Sequence, residues 1–206
     1  WEILDEQTLV APLTTIKGMG DKAIDQILAH RPFNTIEEFL FNENIVYSKL
    51  NKKALDALCR AGAMADLIDD RFTGDKHFWT ATCVDRPRKL KNFAENIEKY
   101  RPEGNFSDDE RIDFLANLTG IFPINMVIDG AIQVKLDQYG VPPISEFDEE
   151  LQICWFIPRK VIPKKTKKGK DFWILEVIDS NNEARTIRCW GIDPKKDKIH
   201  INRPYM

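Results

Sequence analysis

The sequence has few cysteines and no metal-binding spacing among them. The 206 residues include four cysteines, Cys59, Cys83, Cys154 and Cys189, and no two of them form a Cys-x-x-Cys pair. No histidine lies where it would complete a short zinc motif. We therefore expect free thiols in a reducing compartment and no metal site.

Long apolar runs and targeting signals are also missing. No stretch approaches the ~20 apolar residues that cross a bilayer, so no transmembrane segment is expected. The N-terminus has neither the basic start nor the apolar core of a signal peptide. The chain begins at Trp1 rather than Met, and we expect a piece of a longer protein.

Motifs of common active sites do not occur either. There is no G-x-S-x-G or Walker A sequence. The acidic pairs Asp69-Asp70, Asp108-Asp109 and Glu149-Glu150 are adjacent residues rather than ligands converging from neighbouring strands. The three histidines have no motif partner. We expect no catalytic residue, cofactor or small-molecule ligand in this chain alone.

Charge is distributed unevenly along the chain. The formal net charge is −3, yet residues 155–206 contain 13 Lys and Arg against 6 Asp and Glu. The first 154 residues therefore carry −10. Such asymmetry indicates an anionic partner for the basic part.

Capping signals divide the first 120 residues into short helices. Apolar periodicity after Ala23 predicts a helix that Pro32 ends, and Thr35 with Glu38 predicts a capping box. Asn51 is a typical N-cap for a third helix, which Gly62 ends. Two more helices are predicted, at 88–100 and from a capping box at Ser107 to Gly120; residues 122–147 are interpreted as a connector with one short helix.

The turn Gly18-Met19-Gly20 has the composition of a phosphate-binding hairpin. Glycines allow a sharp turn and a close approach of the backbone to a ligand. The following helix offers unpaired N–H groups and its positive dipole end, and Lys17 and Lys22 add charge. We therefore predict a phosphate site formed by Lys17, Gly18, Met19, Gly20 and Lys22. The alternative is a tight turn without a ligand.

Residues 47–53 contain three further lysines and no glycine. Lys49, Lys52 and Lys53 are candidate phosphate contacts. A solvated helix start is the alternative interpretation of these lysines.

Several segments of residues 13–71 occur in a characteristic order: Ile16-Lys17-Gly18-Met19-Gly20, Arg31-Pro32-Phe33, Leu50-Asn51-Lys52-Lys53-Ala54-Leu55-Asp56-Ala57-Leu58, Ala61-Gly62-Ala63 and Arg71. In these residues the chain resembles the post-catalytic region of bacterial C-family replicative DNA polymerases, the family of the DNA polymerase III alpha subunit and its phage-encoded relatives. The resemblance implies a tandem helix-hairpin-helix domain on the duplex backbone. In the first hairpin, the implied DNA contacts are Lys17, Gly18, Met19, Gly20 and Lys22. In the second hairpin, at residues 47–51, the candidate DNA contacts are Lys49, Lys52 and Lys53. It also implies replisome partners and the cytoplasm of a bacterial or phage-infected cell.

The resembled family usually has an OB-fold after its hairpins, and the end of this chain shows a β pattern. Strands are predicted at 151–162, 172–178 and 186–190, with a candidate fourth at 198–202. The barrel would then be incomplete or closed by a short atypical strand. Because OB-folds pair cationic grooves with aromatic platforms, single-strand contacts are predicted for one set of residues: Phe156, Lys164, Lys165, Lys167, Lys168, Lys170 and Phe172.

Alternatives remain for this basic segment. If the segment binds no DNA, the lysine turn is a solvated hairpin tip. Phe156 and Phe172 are then partly buried sheet residues without a ligand. The alternation in 172–178 predicts that Trp173, Leu175 and Val177 form the core face. Phe156 is expected to be exposed.

Together these patterns predict an α+β protein in three segments. A helix-hairpin-helix domain (1–71) is followed by a helical connector (72–150) and an OB-like antiparallel β domain (151–206). The predicted function is non-catalytic DNA binding within a replicative polymerase. The alternatives are a protein-interaction scaffold of a replication complex without autonomous DNA binding, and a fragment of a repair nuclease.

Overall fold

A computed structural model of the chain describes residues 2–3, 9–147, 150, 152–193 and 196–206. The chain forms two compact units, Trp1–Ile121 and Phe122–Met206. In the described ranges, seven α-helices precede a three-stranded antiparallel sheet, which confirms the predicted α+β class. The predicted three-segment division stays a prediction.

The first unit is mainly helical. It begins with a pair of two-residue antiparallel strands, β1 (Glu2–Ile3) and β2 (Leu9–Val10). The capping and periodicity patterns of the sequence did not predict these strands. The helices are α1 (Asp21–His30), α2 (Ile36–Leu40), α3 (Lys52–Arg60), α4 (Asp75–Trp79), α5 (Leu90–Tyr100) and α6 (Asp108–Thr119). A π-helical turn, Thr80–Val84, extends α4.

Side-chain caps begin three of these helices where the sequence predicts them. The Asn51 side chain accepts a hydrogen bond from the Ala54 N–H, and Ser107 forms a complete capping box with Glu110. The predicted box at Thr35 is only half formed, because the Glu38 carboxylate accepts from the Asn34 N–H instead of the Thr35 N–H. Each cap satisfies a backbone donor that the helix itself leaves unpaired.

The core of the first unit is made by residues from all its longer helices. Its largest fully buried apolar side chains are Ile36, Leu40, Leu50, Leu55, Phe78, Phe93 and Ile112. His77 is also fully buried, with its Nε2 2.7 Å from the Ile97 carbonyl oxygen and its Nδ1 accepting from the Thr73 N–H. These contacts give this histidine a structural position in the core.

The second unit contains α7 (Gly130–Gln138) and the strands β3 (Ile157–Lys165), β4 (Asp171–Ile178) and β5 (Arg185–Trp190). The strands pair antiparallel in the order β3-β4-β5. Trp173, Leu175 and Val177 are buried, which confirms the predicted core face. This open meander is compatible with the first strands of an OB-fold.

Two strand predictions need correction. The first strand begins at Ile157 rather than near 151, because Trp155 and Phe156 make only isolated bridges, to Pro143 and Tyr205. Residue 151 lies outside the described residues. The candidate fourth strand at 198–202 is wrong: Asn202 takes a positive φ of 58° and its N–H donates to the Pro158 carbonyl, so the chain turns there.

The four cysteines are free thiols, as predicted. Cys83 is buried and the other three are partly buried. Burial raises the pKa of Cys83 to about 11 and the pKa of Cys59 further above its ordinary value. Protonated thiols are poor nucleophiles, so these two side chains behave as core residues.

Candidate nucleic-acid interface

The predicted hairpin turn is anchored on both sides. Ile16 is buried, and its carbonyl accepts from the Met19 N–H at 3.1 Å to close the turn. Gly18 has φ +98°, a left-handed conformation that a residue with a Cβ rarely adopts. The Lys17 N–H donates to the Leu118 carbonyl at 2.7 Å, which fixes the turn to the end of α6.

Four backbone donors of this turn have no partner among the residues that the structure describes. Among the described residues, no acceptor lies within hydrogen-bond distance of the N–H groups of Gly18, Gly20, Asp21 and Lys22. Gly20 is the N-cap of α1 and offers no side-chain cap. A Cβ placed on Gly20 would meet no atom within 4 Å, so this side of the turn is open. Unpaired donors at an open helix N-terminus are suited to an anion.

Three lysines surround the turn. Lys17 and Lys22 are exposed, and the Lys17 ammonium lies near the end of α6, 3.8 Å from where a Cβ on Gly120 would be. Lys53 reaches the turn from α3: its Cε would lie 3.5 Å from a Cβ on Gly18. The Asp21 carboxylate in the same helical turn offsets part of this positive charge.

The three lysines predicted for the second hairpin therefore differ in position. Lys53 lies beside the first hairpin turn. The sequence did not indicate this contact, because Lys53 and Gly18 are far apart along the chain. The Lys52 ammonium donates to the Val84 carbonyl at 2.7 Å and so takes part in the fold. Lys49 is exposed. Residues 47–51 form no glycine turn, and the DNA contacts of all three remain predictions.

A second cationic surface lies on the outer face of the sheet. The register places Lys164 opposite Phe172 and Phe172 opposite Trp190. The Phe172 and Trp190 rings stack with centroids 4.5 Å apart at 17°, and Trp190 is 52% exposed. Arg188 lies two residues from Trp190 on the same face, opposite Ile174. This face combines an exposed aromatic pair with positive charge, the composition of a base-stacking platform.

The lysines near this face are engaged to different degrees. The Lys170 ammonium lies 6.0 Å from the Trp190 ring centroid. Lys165 forms an ion pair with Asp171 at 3.2 Å, which partly neutralises it. Lys164, Lys167 and Lys168 are exposed.

Phe156 does not belong to this surface. Expected to be exposed, it is partly buried, packs against the core of the second unit and lies 6.4 Å from the Tyr205 ring in a stacked geometry. Phe156 also forms an isolated antiparallel bridge with Tyr205.

Trp190 and Arg188 were missed by the sequence interpretation. Their strand was predicted, but their face depends on the β4–β5 register, which places Trp190 beside Phe172. Alternation from Cys189, which packs against the core, would have indicated that Trp190 points outward.

Sites of other kinds are not apparent in the described residues. No group of three or more His, Cys, Asp or Glu side chains there is placed to hold a metal ion. In the same residues no helix has the length and apolar character needed to cross a membrane.

Comparison with known proteins agrees with the hairpin geometry. Residues 2–73 match the family model of the helix-hairpin-helix motif, and the match includes the Gly18–Gly20 turn, α1, α2 and α3. No curated protein and no solved structure matches the chain. Residues 2–73 therefore contain a helix-hairpin-helix region, a motif that indicates nucleic-acid binding, with DNA as a partner.

Proposed function

We propose that this chain is a non-catalytic DNA-binding region of a replicative DNA polymerase. Its hairpin contacts the duplex backbone, and its basic sheet contacts single-stranded template. The observation that carries the proposal is the open Gly20 turn, where four unpaired N–H groups are surrounded by Lys17, Lys22 and Lys53.

The hairpin binds a phosphate and does not read base sequence. Backbone N–H groups donate to phosphate oxygens, and the helix dipole and lysines favour the negative charge. Contacts of this kind position a protein on the duplex without selecting a sequence. This behaviour fits a polymerase, which must move over every sequence.

The sheet face supports binding of a single strand. Trp190 offers an exposed ring for an unpaired base, and the stacked Phe172 holds that ring in place. On this proposal Lys164, Lys170 and Arg188 contact phosphates of the same strand. Base stacking contributes about 1–3 kcal/mol per base and is independent of sequence.

The assignment to a polymerase rests on the resemblance of residues 13–71 to the C-family region. On this proposal the chain performs no chemistry by itself, and a longer parent chain carries nucleotidyl transfer. Its other partners are replisome subunits, and its location is the cytoplasm of a bacterial or phage-infected cell.

Fluorescence anisotropy with labelled single-stranded, duplex and primer-template DNA tests the proposal. We expect weak binding that falls steeply between about 50 mM and about 200 mM salt, because phosphate contacts release counterions. Changing Lys164, Lys165, Lys167 and Lys168 to Glu is expected to abolish single-strand binding and to spare duplex binding. Absence of binding to any of the three DNAs at low salt contradicts the proposal.

Gly20→Ala tests the hairpin separately. The backbone at Gly20, with φ −91°, accepts alanine, and the added methyl group meets no protein atom within 4 Å. The fold is therefore preserved while the methyl group obstructs an approaching phosphate. We expect duplex binding to weaken about tenfold, the loss of roughly 1.4 kcal/mol.

Gly130→Ala is the matched control for this variant. Gly130 also begins a helix with open space around the added Cβ, but it lies in α7 of the other unit. Its duplex affinity should equal that of wild type. Equal affinities of the Gly20→Ala variant and wild type would show that the phosphate does not bind at the turn.

A protein-interaction scaffold is the second candidate function, and the surface around α7 favours it. Tyr139 is 80% exposed and lines an apolar cavity of about 250 Å³, and Val134 of the same helix is 54% exposed. The cavity is lined mainly by Ile132, Leu136, Tyr139, Trp155 and Tyr205. DNA binding that is absent at low salt, together with capture of a replication protein that Tyr139→Asp prevents, would favour this function.

A further inference from the structure

The segment that takes the place of a second hairpin packs against a basic loop that the sequence did not connect with it. The Arg86 guanidinium lies 3.8 Å from the Tyr47 ring centroid and donates to the Leu50 carbonyl at 2.8 Å. The Tyr47 hydroxyl oxygen lies 3.4 Å from the Pro87 carbonyl oxygen. These contacts hold residues 86–91 beside residues 47–51.

Positive charge is concentrated where these segments meet. Residues 47–53 and 86–91 contain seven of the 16 Lys and Arg residues of the first 121 positions, and they contain no Asp or Glu. The seven are Lys49, Lys52, Lys53, Arg86, Arg88, Lys89 and Lys91. The same 121 positions carry a net charge of −5, so these two segments are basic within an acidic part of the chain.

Most of this charge is not neutralised within the protein. In the described part of the chain, no carboxylate lies within ion-pair distance of Lys49, Arg88 or Lys89, and all three are exposed. Lys91 has only a 3.9 Å pair with Glu95, and both side chains are more than half exposed. Exposed pairs of this kind are weak.

Two other carboxylates face this region. Asp85 is engaged by the Lys99 ammonium at 3.2 Å and the Tyr100 hydroxyl at 3.1 Å. Glu43 lines the same cavity as Tyr47 and Arg88. The Asp85 carboxylate is therefore already paired with Lys99, and Glu43 is the acidic residue that shares a cavity with Arg88.

The N-terminal end of α3 joins the basic loop to the glycine turn. Lys53 passes over Gly18, and the neighbouring Lys52 donates to Val84, two residues before Arg86. α5 also begins in the loop, at Leu90, without a side-chain cap and without an acidic residue in its first turn. The positive end of its dipole thus adds to the lysine and arginine charge.

We infer that Lys49, Arg88, Lys89 and Lys91 form a second phosphate-binding surface, the basic loop patch, which replaces the missing glycine hairpin. Its ligand is the sugar–phosphate backbone of duplex DNA, continued from the Gly18–Gly20 turn past the start of α3. Side-chain cations hold the phosphate here, whereas backbone N–H groups hold it at the first hairpin. This inference rests on the proposed function and adds a second point of contact to it.

Neutralising two exposed cations tests the inference in the full chain. For Arg88→Gln/Lys89→Gln we expect duplex affinity to fall about tenfold near 100 mM salt. The slope of log K against log salt should become shallower by about two, one unit for each lost phosphate contact. The conservative variant Arg88→Lys/Lys89→Arg should bind like wild type.

Arg31→Gln/Arg101→Gln provides the charge-matched control. It removes the same charge from exposed positions of the same unit outside the patch, and its duplex affinity and salt slope should stay near those of wild type. If both double variants weaken duplex binding equally, the loss comes from the change in net charge rather than from the basic loop patch, and the inference is wrong.

The remaining outcomes separate the inference from the proposed function. If Gly20→Ala weakens duplex binding and Arg88→Gln/Lys89→Gln does not, the inference is wrong and the hairpin function stands. If wild type binds no duplex at low salt, both are wrong. The unfolding temperature of every variant is compared with that of wild type. An unchanged temperature shows that a loss of affinity comes from lost contacts to DNA and not from unfolding.

Discussion

Two tryptophans of the sheet, Trp173 and Trp190, have different roles. Trp173 is 6% exposed and packs with Leu175 and Val177, so the fold of the second unit depends on it. Trp190 is 52% exposed and has a ring contact with Phe172. A tryptophan with half its surface in water contributes little to the core and is available to a ligand.

Trp190→Ala should therefore separate binding from stability. We expect single-strand affinity to fall between about fivefold and about 100-fold, the equivalent of one lost stacking interaction. The unfolding temperature should change by less than about 4 °C. Anisotropy and thermal unfolding measure the two effects, with Tyr139→Ala as a control that removes another exposed aromatic ring of the same unit. Unchanged single-strand affinity would exclude Trp190 as a platform.

Asp179 presents the opposite case, a charged residue on which the fold depends. It is fully buried, and its carboxylate accepts from the Ser145 N–H at 2.7 Å and the Asn181 N–H at 3.0 Å. Asp179→Ala leaves both partly buried donors without this acceptor, and we expect a loss of about 1–3 kcal/mol in the free energy of unfolding.

Urea unfolding measures this loss. Asp179→Asn keeps one side-chain acceptor, so its free energy of unfolding should lie between those of Asp179→Ala and wild type. Asp137→Ala removes an exposed carboxylate whose hydrogen bond is to Gln133 and should change stability by less than about 0.5 kcal/mol. A small loss for Asp179→Ala would mean that water replaces the carboxylate.

At the scale of elements, one arginine connects α2 to the segment after α3. The Arg71 guanidinium pairs with Glu37 at 2.5 Å and with Asp69 at 2.6 Å. Its hydrogen bonds hold the pKa of Glu37 and the pKa of Asp69 below their ordinary values. Lowered carboxyl pKa values stabilise the fold above the unfolded pKa values near ~4, and this contribution is lost as pH falls through the folded values.

Arg71→Gln should consequently reduce the acid sensitivity of the first unit. At about pH 7 the variant should be less stable than wild type, with the ion pairs accounting for at most about 1 kcal/mol because they are partly exposed. On acidification to about pH 2 wild type should lose this advantage, and the two unfolding curves should approach each other. Urea unfolding across this pH range provides the measurement, and a constant difference would show that Arg71 acts through packing on Phe72 instead.

The elements that could be predicted from the sequence are those fixed by local interactions. Asn51 and Ser107 are N-caps because each side chain bonds to a backbone N–H three residues away, so the sequence nearby contains the whole interaction. The location of Phe156 and the absence of a strand at 198–202 depend on bridges between residues about 45 positions apart. Local patterns contain no information on such pairings.

The candidate sites follow the same division. The glycine turn was predicted because glycine spacing and flanking lysines are local features. The approach of Lys53 to Gly18, the stack of Trp190 on Phe172 and the position of Arg86 over Tyr47 each depend on packing between distant segments. The sequence therefore predicted the hairpin but not these contacts between distant segments.

For the whole molecule, the unequal charge of the chain has a consequence for binding. The net charge is −3, so the chain as a whole is not attracted to DNA by its net charge, and binding depends on the local basic surfaces. The proposed duplex and single-strand sites lie in different compact units, Trp1–Ile121 and Phe122–Met206. Sites with separate residues are expected to bind their ligands independently.

Competition in the full chain tests this independence. Saturating unlabelled single strand of about 10 nucleotides should leave the Kd of labelled duplex within about twofold of its value alone, since the two ligands contact different residues. Gly20→Ala should weaken only duplex binding, and Trp190→Ala only single-strand binding. Full displacement of duplex by the single strand would instead indicate one shared site, and the two variants would then weaken both ligands together.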